Sequence, residues 1–162
     1  MGLQDIDLRG ESSAAPPVVW ALLADSSTWP SWTPIEGYEQ VRPSGPDGTG
    51  EVRTFRTGRH RVREEIIEST PPTRLTYTLL GGLALRDYRA QIDVEPRPAG
   101  GSRLRWHTTF RPKVAGSGWL YRRALEQATR AFVDGLIRAA EAKAAIRALE
   151  GQHGAGPNTA AT

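Results

Sequence analysis

The sequence predicts an α+β fold in which a curved antiparallel sheet of seven strands packs around one long C-terminal helix. Segments of alternating polarity, separated by turns rich in glycine and proline, indicate the antiparallel strands. Residues 118–149 then repeat apolar side chains every three or four positions, as one face of a long helix requires. That predicted apolar stripe consists of Leu125, Ala128, Phe132, Leu136 and Ala139.

The elements are predicted in a simple order. Residues 3–13 alternate weakly in polarity and form the first strand. Pro16 and Pro17 open a short helix, because proline is tolerated in a first helical turn. A turn and a second short helix follow at 25–34, with Trp29 and Trp32 on its apolar underside. The turn signals then separate six further strands, at 35–42, 50–57, 60–69, 73–80, 86–95 and 103–111.

Length and composition restrict the class of protein. With 162 residues the chain is most simply one domain, which we place at residues 1–150. The tail 151–162 has no apolar periodicity and is predicted to be disordered. Absence of cysteine excludes disulfides and thiolate metal sites. The histidines at 60, 107 and 153 have no metal-ligand spacing, so neither a metal nor another cofactor is expected.

Localisation follows from what the sequence does not contain. No apolar run approaches the ~20 residues of a membrane-spanning helix. The first residues lack the basic and apolar regions of a signal peptide. We therefore expect a cytoplasmic protein without a membrane span, either a monomer or a homodimer.

The hairpin turns predict which side chains share the apolar inner face of the sheet. A turn at 58–59 opposes Phe55 to Val62 and Arg53 to Glu64. A turn at 99–100 predicts four further inner pairs, namely Ile92–Trp106, Val94–Leu104, Ala90–Thr108 and Tyr88–Phe110. On the outer face the same register opposes acidic residues to arginines, in the pairs Glu95–Arg103, Asp93–Arg105 and Asp87–Arg111. Because these arginines have carboxylate partners, the net charge of +3 does not indicate a nucleic-acid partner.

Extending this register predicts a polar row across the inner face. Over the turn at 69–73, Glu64 is expected beside Tyr77 and Ile66 beside Leu75, and Tyr77 is expected near Tyr88. A buried carboxylate is costly unless it is paired and hydrogen-bonded. Arg53 can neutralise Glu64, and Tyr77 can donate a hydrogen bond to it.

Three interpretations of this row remain open. It is a satisfied internal ion pair, or a polar wall that orients a ligand carbonyl or hydroxyl, or an acid–base site. In the third case Glu64 is the general acid or base, and Arg53 or a tyrosine stabilises an enolate oxygen. The candidate catalytic residues are therefore Glu64, Arg53 and Tyr77.

Three segments together resemble a known family. APPVVWALLADSSTWPSWTP (15–34), EEIIESTPPTRLTY (64–77) and GGSRLRWHTTFRP (100–112) resemble polyketide cyclase/dehydrase-type members of the START-like helix-grip (SRPBCC) superfamily. The resemblance extends over about residues 3–147. It implies a seven-stranded sheet that grips the C-terminal helix around an apolar cavity. It carries no catalytic residue over to this chain, and fold does not determine function.

Three functions follow as hypotheses. The first is binding of an apolar or aromatic small molecule, such as a lipid, quinone or polyketide, in a cavity of about 300–1,000 Å³. The second is a polyketide cyclase or dehydratase activity. The third is a protein-interaction regulator, which a large exposed apolar patch would favour. The predicted ligand contacts are Arg53, Phe55, Glu64, Ile66, Tyr77, Tyr88, Trp106, Phe110 and Phe132.

Overall fold

Seven antiparallel strands form one continuous sheet. The structure is a computed structural model that describes residues 2–154. The strands are β1 (Gln4–Ser12), β2 (Gly37–Arg42), β3 (Val52–Thr57), β4 (His60–Thr70), β5 (Arg74–Gly81), β6 (Leu85–Pro96) and β7 (Ser102–Pro112). Their order across the sheet is β1-β7-β6-β5-β4-β3-β2. The predicted α+β class and the seven strands are confirmed.

The helices also follow the predicted order. After β1 come α1 (Pro16–Ala24), a 3-10 turn (Ser26–Thr28) and α2 (Trp29–Trp32), and the long helix α3 (Gly118–His153) follows β7. Prolines stand in the first turns of both α1 and α2, where a missing N–H leaves no intrahelical bond unmade. Because α3 continues to His153, the first residues of the predicted tail are helical. Residues 155–162 of that tail lie outside the described residues.

The apolar side of α3 has two parts with different environments. Val133, Leu136 and Ala140 are fully buried, and they belong to the side that packs mainly on β1 and α1. The other part of the predicted stripe, Leu125 and Phe132, is only half-buried. The second part faces a space between helix and sheet rather than close-packed neighbours.

The hairpin turns at 58–59 and 97–101 give most of the registers that the sequence predicts. Phe55 opposes Val62 and Arg53 opposes Glu64. The inner pairs Ile92–Trp106, Val94–Leu104 and Ala90–Thr108 are likewise confirmed. The Tyr88–Phe110 pair is wrong, because the register shifts between Arg86 and Arg89. Asp87 lies in this bulge with a φ of 52°, so that two residues of β6 oppose one of β7.

The predicted pairing across β4 and β5 is wrong by two residues. Glu64 opposes Leu79 rather than Tyr77, and Ile66 opposes Tyr77 rather than Leu75. The turn lies later in the chain than the predicted register requires, since β4 ends at Thr70 and β5 starts at Arg74. An irregularity between Ile66 and Glu68 then restores the inward orientation of Ile66.

The predicted opposition of Glu95 to Arg103 and of Asp93 to Arg105 is confirmed, but these two arginines form their ion pairs with other carboxylates. Arg105 binds Asp7 on β1 at 2.7 Å, and Arg103 lies 3.5 Å from Glu11 on the same strand. The predicted pair of Arg111 and Asp87 is present at 3.4 Å. Side-chain length lets these arginines reach the neighbouring strand instead of the directly opposed residue. Within residues 2–154, no helix has the length and apolarity that a membrane crossing needs.

A glycine sets the distance between α2 and α3. A Cβ atom at Gly135 would overlap the carbonyl oxygen of Trp32. We expect Gly135→Ala to destabilise the fold by about 1–3 kcal/mol, because the two backbones would have to separate. Gly151→Ala, in the last turns of the same helix, meets no neighbouring atom. It should raise stability by up to about 0.5–1 kcal/mol.

Urea denaturation of both variants measures this difference in the free energy of unfolding. Equal effects of the two substitutions would contradict the close approach of α2 and α3.

Candidate functional site

The centre of the site is an ion pair that is almost completely removed from solvent. Arg53 donates from Nε and Nη2 to the same oxygen, Oε2 of Glu64, at 3.1 and 3.0 Å. The Arg53 side chain is 0 % exposed and that of Glu64 is 10 % exposed. Among the described residues, no hydrogen bond reaches the other oxygen, Oε1 of Glu64. One carboxylate oxygen is therefore left free to interact with a ligand.

A second buried carboxylate lies on the other side of Arg53. Nη1 of Arg53 donates to Oγ of Ser26 at 2.9 Å, and that hydroxyl donates to Glu51 at 2.8 Å. Tyr38 donates to the other oxygen of Glu51 at 2.9 Å. Glu51 is 7 % exposed. The single guanidinium thus links two carboxylates, through a chain of bonds that runs from Glu51 by way of Ser26 in the 3-10 turn to Glu64 on β4.

Aromatic rings surround the remainder of the guanidinium. Its carbon lies 4.2 Å from the ring centroid of Trp29, 4.7 Å from that of Phe55 and 4.9 Å from that of Tyr77. The negative faces of these rings attract a cation. The rings thus stabilise the positive charge at the faces of the guanidinium, while the hydrogen bonds to Glu64 and Ser26 stabilise it along the edges.

A cavity of about 230 Å³ lies next to this cluster, between the sheet and the half-buried side of α3. Its wall is mostly apolar, and Glu64 is the carboxylate in it. The lining comprises Trp29, Ile35, Phe55, Thr57, His60, Val62, Glu64, Tyr77, Leu79, Leu83, Tyr88, Leu125, Ala128, Thr129 and Phe132.

The volume is below the range expected from the sequence because Trp29 occupies the middle of the space. Its ring stacks on Phe55 at 5.2 Å, and it meets Trp106 and Phe132 edge-on at 5.7 and 6.1 Å. The indole Nε1 donates to the carbonyl oxygen of Leu23 at 3.0 Å. This bond fixes the ring between the sheet and α3.

The structure brings five of the nine predicted contact residues to the cavity wall, namely Phe55, Glu64, Tyr77, Tyr88 and Phe132. Arg53 lies behind Glu64, and Ile66, Trp106 and Phe110 are buried in the core without being part of the lining. Trp106 and Trp29 are in contact, so Trp29 takes the place of Trp106 in the wall.

The predicted polar row exists as side-chain contacts, although only its Arg53–Glu64 register is confirmed and its Glu64–Tyr77 register is wrong. Tyr77 and Tyr88 have ring centroids 6.2 Å apart, even though Tyr77 opposes Ala90 along the strands. No hydrogen bond between Tyr77 and Glu64 occurs among the described residues. The predicted donation from Tyr77 to Glu64 is therefore wrong, because the bulged β4 places Glu64 opposite Leu79.

Sequence reasoning missed Glu51 and Trp29 as parts of the site. A signal for Glu51 was present, because residues 51, 53 and 55 alternate and so share the inner face with Arg53 and Phe55. For Trp29 the pattern indicated an apolar helix side but not its insertion between two layers. The described residues contain no group of acidic, histidine or cysteine side chains able to hold a metal ion.

Burial controls the protonation of the groups around the cavity. Removal from water raises the pKa of Glu64, while the neighbouring Arg53 opposes the increase. Burial, together with the adjacent tyrosine and Glu64, holds the pKa of Tyr77 well above its usual value. Burial is also the main cause that raises the pKa of Tyr88 above its usual value. Both phenols are neutral hydroxyl donors at physiological pH.

Comparisons with known proteins agree with this geometry. The model of the family described as polyketide cyclase / dehydrase and lipid transport matches residues 5–141. No curated protein matches the chain. The solved structure of XoxI from Bacillus cereus is 19% identical, with a TM-score of 0.68 over 86% of this chain and 95% of XoxI. TTHA0849 from Thermus thermophilus is 19% identical, with a TM-score of 0.68 over 86% of this chain and 99% of that one.

The di-domain ARO/CYC StfQ from the steffimycin biosynthetic pathway is also similar in structure. It is 15% identical, with a TM-score of 0.76 over 88% of this chain and 52% of StfQ. This chain therefore corresponds to about half of the StfQ chain. At such identities these three structures show a shared fold.

The buried ion pair gives a test of the network. We expect Arg53→Met to lower the free energy of unfolding by about 3–5 kcal/mol, because Glu64 would remain buried without its partner. Arg105→Met removes an exposed arginine from its pair with Asp7 and should cost less than about 1 kcal/mol.

The pH dependence makes the test specific. A carboxyl whose pKa is raised by folding contributes stability at low pH, and loses it as the pH rises through the folded value. Without Arg53 that pKa rises further. The loss in the free energy of unfolding that Arg53→Met causes, measured by urea denaturation, should therefore grow between about pH 5 and about pH 8. A deficit that does not change over this interval would contradict the assignment of Glu64 as the uncompensated group.

Proposed function

This chain belongs to the polyketide cyclase/dehydrase and lipid transport family, and we propose that it binds an apolar aromatic small molecule between the sheet and α3. The observation that carries the proposal is an apolar cavity of about 230 Å³ with one carboxylate oxygen of Glu64 free at its wall. Such a site fits a ligand whose body is apolar and whose single oxygen meets Glu64.

The volume limits the size of the ligand. An apolar cavity of about 150 Å³ is sufficient for benzene, so a cavity of 230 Å³ suits a molecule of one or two fused rings. A larger polyketide or lipid would require Leu83 or the first turns of α3 to move outwards. A ligand hydroxyl can donate to the ionised carboxylate, whereas a ligand carbonyl can accept from the protonated form.

Two probes separate the apolar and polar contributions. β-Naphthol has two rings and one hydroxyl, and naphthalene has the same rings without the oxygen. In Glu64→Gln we expect β-naphthol to bind about fivefold more weakly, since a charge-assisted hydrogen bond is roughly twice as strong as a neutral one. Naphthalene should change by less than about twofold, because it makes no such bond.

Isothermal titration calorimetry measures both affinities, with Glu65→Gln as the matched control. Glu65 is the next residue of β4, on the opposite face, and it pairs with Arg42 at 2.7 Å. Ala128→Leu should abolish binding of both probes by filling the cavity, whereas Ala124→Leu, exposed one turn earlier, should not. Binding that survives Ala128→Leu would place the ligand elsewhere and contradict the proposal.

A second candidate function is dehydration of a β-hydroxy ketone, favoured by the raised pKa of Glu64. Ionised Glu64 removes the proton next to the ketone, and the carbonyl oxygen becomes an enolate oxygen that a neutral tyrosine stabilises. The enolate then expels the β-hydroxyl group, to which Glu64 returns the proton, so that water leaves. The two tyrosines of the cavity wall are the donors available for the enolate.

The aldol adduct of acetone and benzaldehyde tests this activity, because its dehydration product absorbs in the near ultraviolet. If Glu64 is the base, the rate above buffer should fall by roughly 10²–10⁴-fold in Glu64→Gln and stay unchanged in Glu65→Gln. Since the base must be ionised, the rate should rise with pH through the raised pKa of Glu64. Equal turnover in Glu64→Gln and the unmodified protein would remove Glu64 from the mechanism.

A further inference from the structure

Three segments of chain meet at the end of the molecule where the cavity opens. The β3–β4 hairpin contributes His60, the β5–β6 hairpin contributes Leu83, and α3 contributes Leu125 to the cavity lining. The backbone of Lys113, after β7, donates to the carbonyl oxygen of Ala84 at 2.9 Å. This bond joins the start of the α3 segment to the β5–β6 hairpin. We refer to residues 57–63, 79–86 and 111–125 as the entrance end.

The entrance end exposes large apolar side chains. Trp119 is 68 % exposed, Val114 58 % and Leu120 56 %. Trp119 and Leu120 stand in the first turn of α3, less than two turns before Leu125 of the cavity wall, or roughly 10 Å along the axis. Leu3 is also exposed, and it precedes Gln4, whose side chain lies close to Gly118 at the start of α3. Exposed apolar groups gathered in this way usually contact another surface.

The charge of the entrance end is of one sign. Its three segments contain no aspartate or glutamate. They contain Arg59, Arg61, Arg63, Arg86, Arg111, Lys113, Arg122 and Arg123. Acidic residues that border the segments are already paired, Asp87 with Arg111 at 3.4 Å and Glu126 with Arg130 at 3.8 Å.

The basic residues of the entrance end differ from those of the sheet. Over residues 2–154, no ion pair involves Arg59, Arg86, Lys113, Arg122 or Arg123, whereas Arg103 and Arg105 bind carboxylates of β1. A row of surface arginines that lack carboxylate partners is available to an anionic surface.

We propose that the entrance end docks on an anionic lipid bilayer. Tryptophan favours the boundary between lipid headgroups and acyl chains, so Trp119 inserts there with Leu120 and Val114. The surrounding arginines and Lys113 contact lipid phosphates, each attraction falling off within a Debye length. The cavity then opens towards the bilayer, and an apolar ligand passes between them without crossing water.

An acidic soluble protein is the alternative partner, since it would neutralise the same charges. Such a partner gives less reason for the exposed tryptophan and leucine than a bilayer does. The exposed groups include an indole at the start of a helix with two arginines one turn later, which is the composition of an interfacial segment. The docking surface adds a partner to the proposed ligand binding and does not depend on which ligand is bound. Vesicle binding requires no ligand, so its failure would leave the ligand-binding proposal standing.

Vesicle co-sedimentation tests the docking. The full chain should bind vesicles of phosphatidylglycerol and phosphatidylcholine in equal amounts, and should not bind vesicles of phosphatidylcholine alone. Trp119 is the most exposed of the five tryptophans, so binding should shift the tryptophan emission to shorter wavelength. The bound fraction should fall as salt is added. Arg122→Gln with Arg123→Gln should weaken binding roughly fivefold for each charge removed.

The matched control substitutions lie in the C-terminal half of α3. In co-sedimentation, Trp119→Ser with Leu120→Ser should lose most of the vesicle binding, whereas Ile146→Ser with Leu149→Ser, which are 56 % and 58 % exposed, should leave vesicle binding unchanged. Arg138→Gln with Arg147→Gln is the charge control. Equal losses in the entrance-end and control variants would overturn the proposal. So would binding to an acidic soluble protein without binding to vesicles.

Discussion

The guanidinium of Arg53, held without any solvent contact, is the constraint on which the site depends. A buried charge is tolerated only when hydrogen bonds and attractive contacts replace the water that it has lost. Glu64 and Ser26 satisfy the edge of the group, and Trp29 covers a face at 4.2 Å. The requirement therefore fixes β3, β4 and the 3-10 turn relative to one another. It also places Trp29, which belongs to neither layer, in the centre of the molecule.

The cavity is a consequence of that arrangement. Trp29 fills the space between sheet and helix on the side of Trp106 and leaves it open on the side of Leu83 and Leu125. Arg53 directs two of its three hydrogen bonds to one oxygen of Glu64, so the other oxygen remains at the cavity wall. The same ion pair that stabilises the core thus supplies the polar group of the site. The structural and the ligand-orienting interpretations of the pair are compatible with each other.

Local turn geometry decided how much the sequence could predict. The registers across 58–59 and 99–100 are confirmed for most pairs because these glycine-containing turns lie where the sequence predicts them and so fix the opposed residues. The β4–β5 register failed because its turn, at 71–73, lies later in the chain than predicted and because the pairing is irregular near Ile67. The position of Trp29 could not be predicted for the same reason. Its apolar environment follows from the sequence, but its insertion between layers depends on residues far away in the chain.

The arginine excess has two origins that the net charge of +3 conceals. On the outer face of the sheet, arginines are paired with carboxylates of neighbouring strands, and such pairs contribute little to stability. At the entrance end, Arg59, Arg86, Lys113, Arg122 and Arg123 form no ion pair with any residue of the described range 2–154, and only the fold brings these five together. Glu64 lies four residues beyond His60 along β4, roughly 13 Å inside the opening. An apolar ligand that enters through this end must therefore carry its oxygen at the leading edge, with the apolar remainder directed back towards the opening.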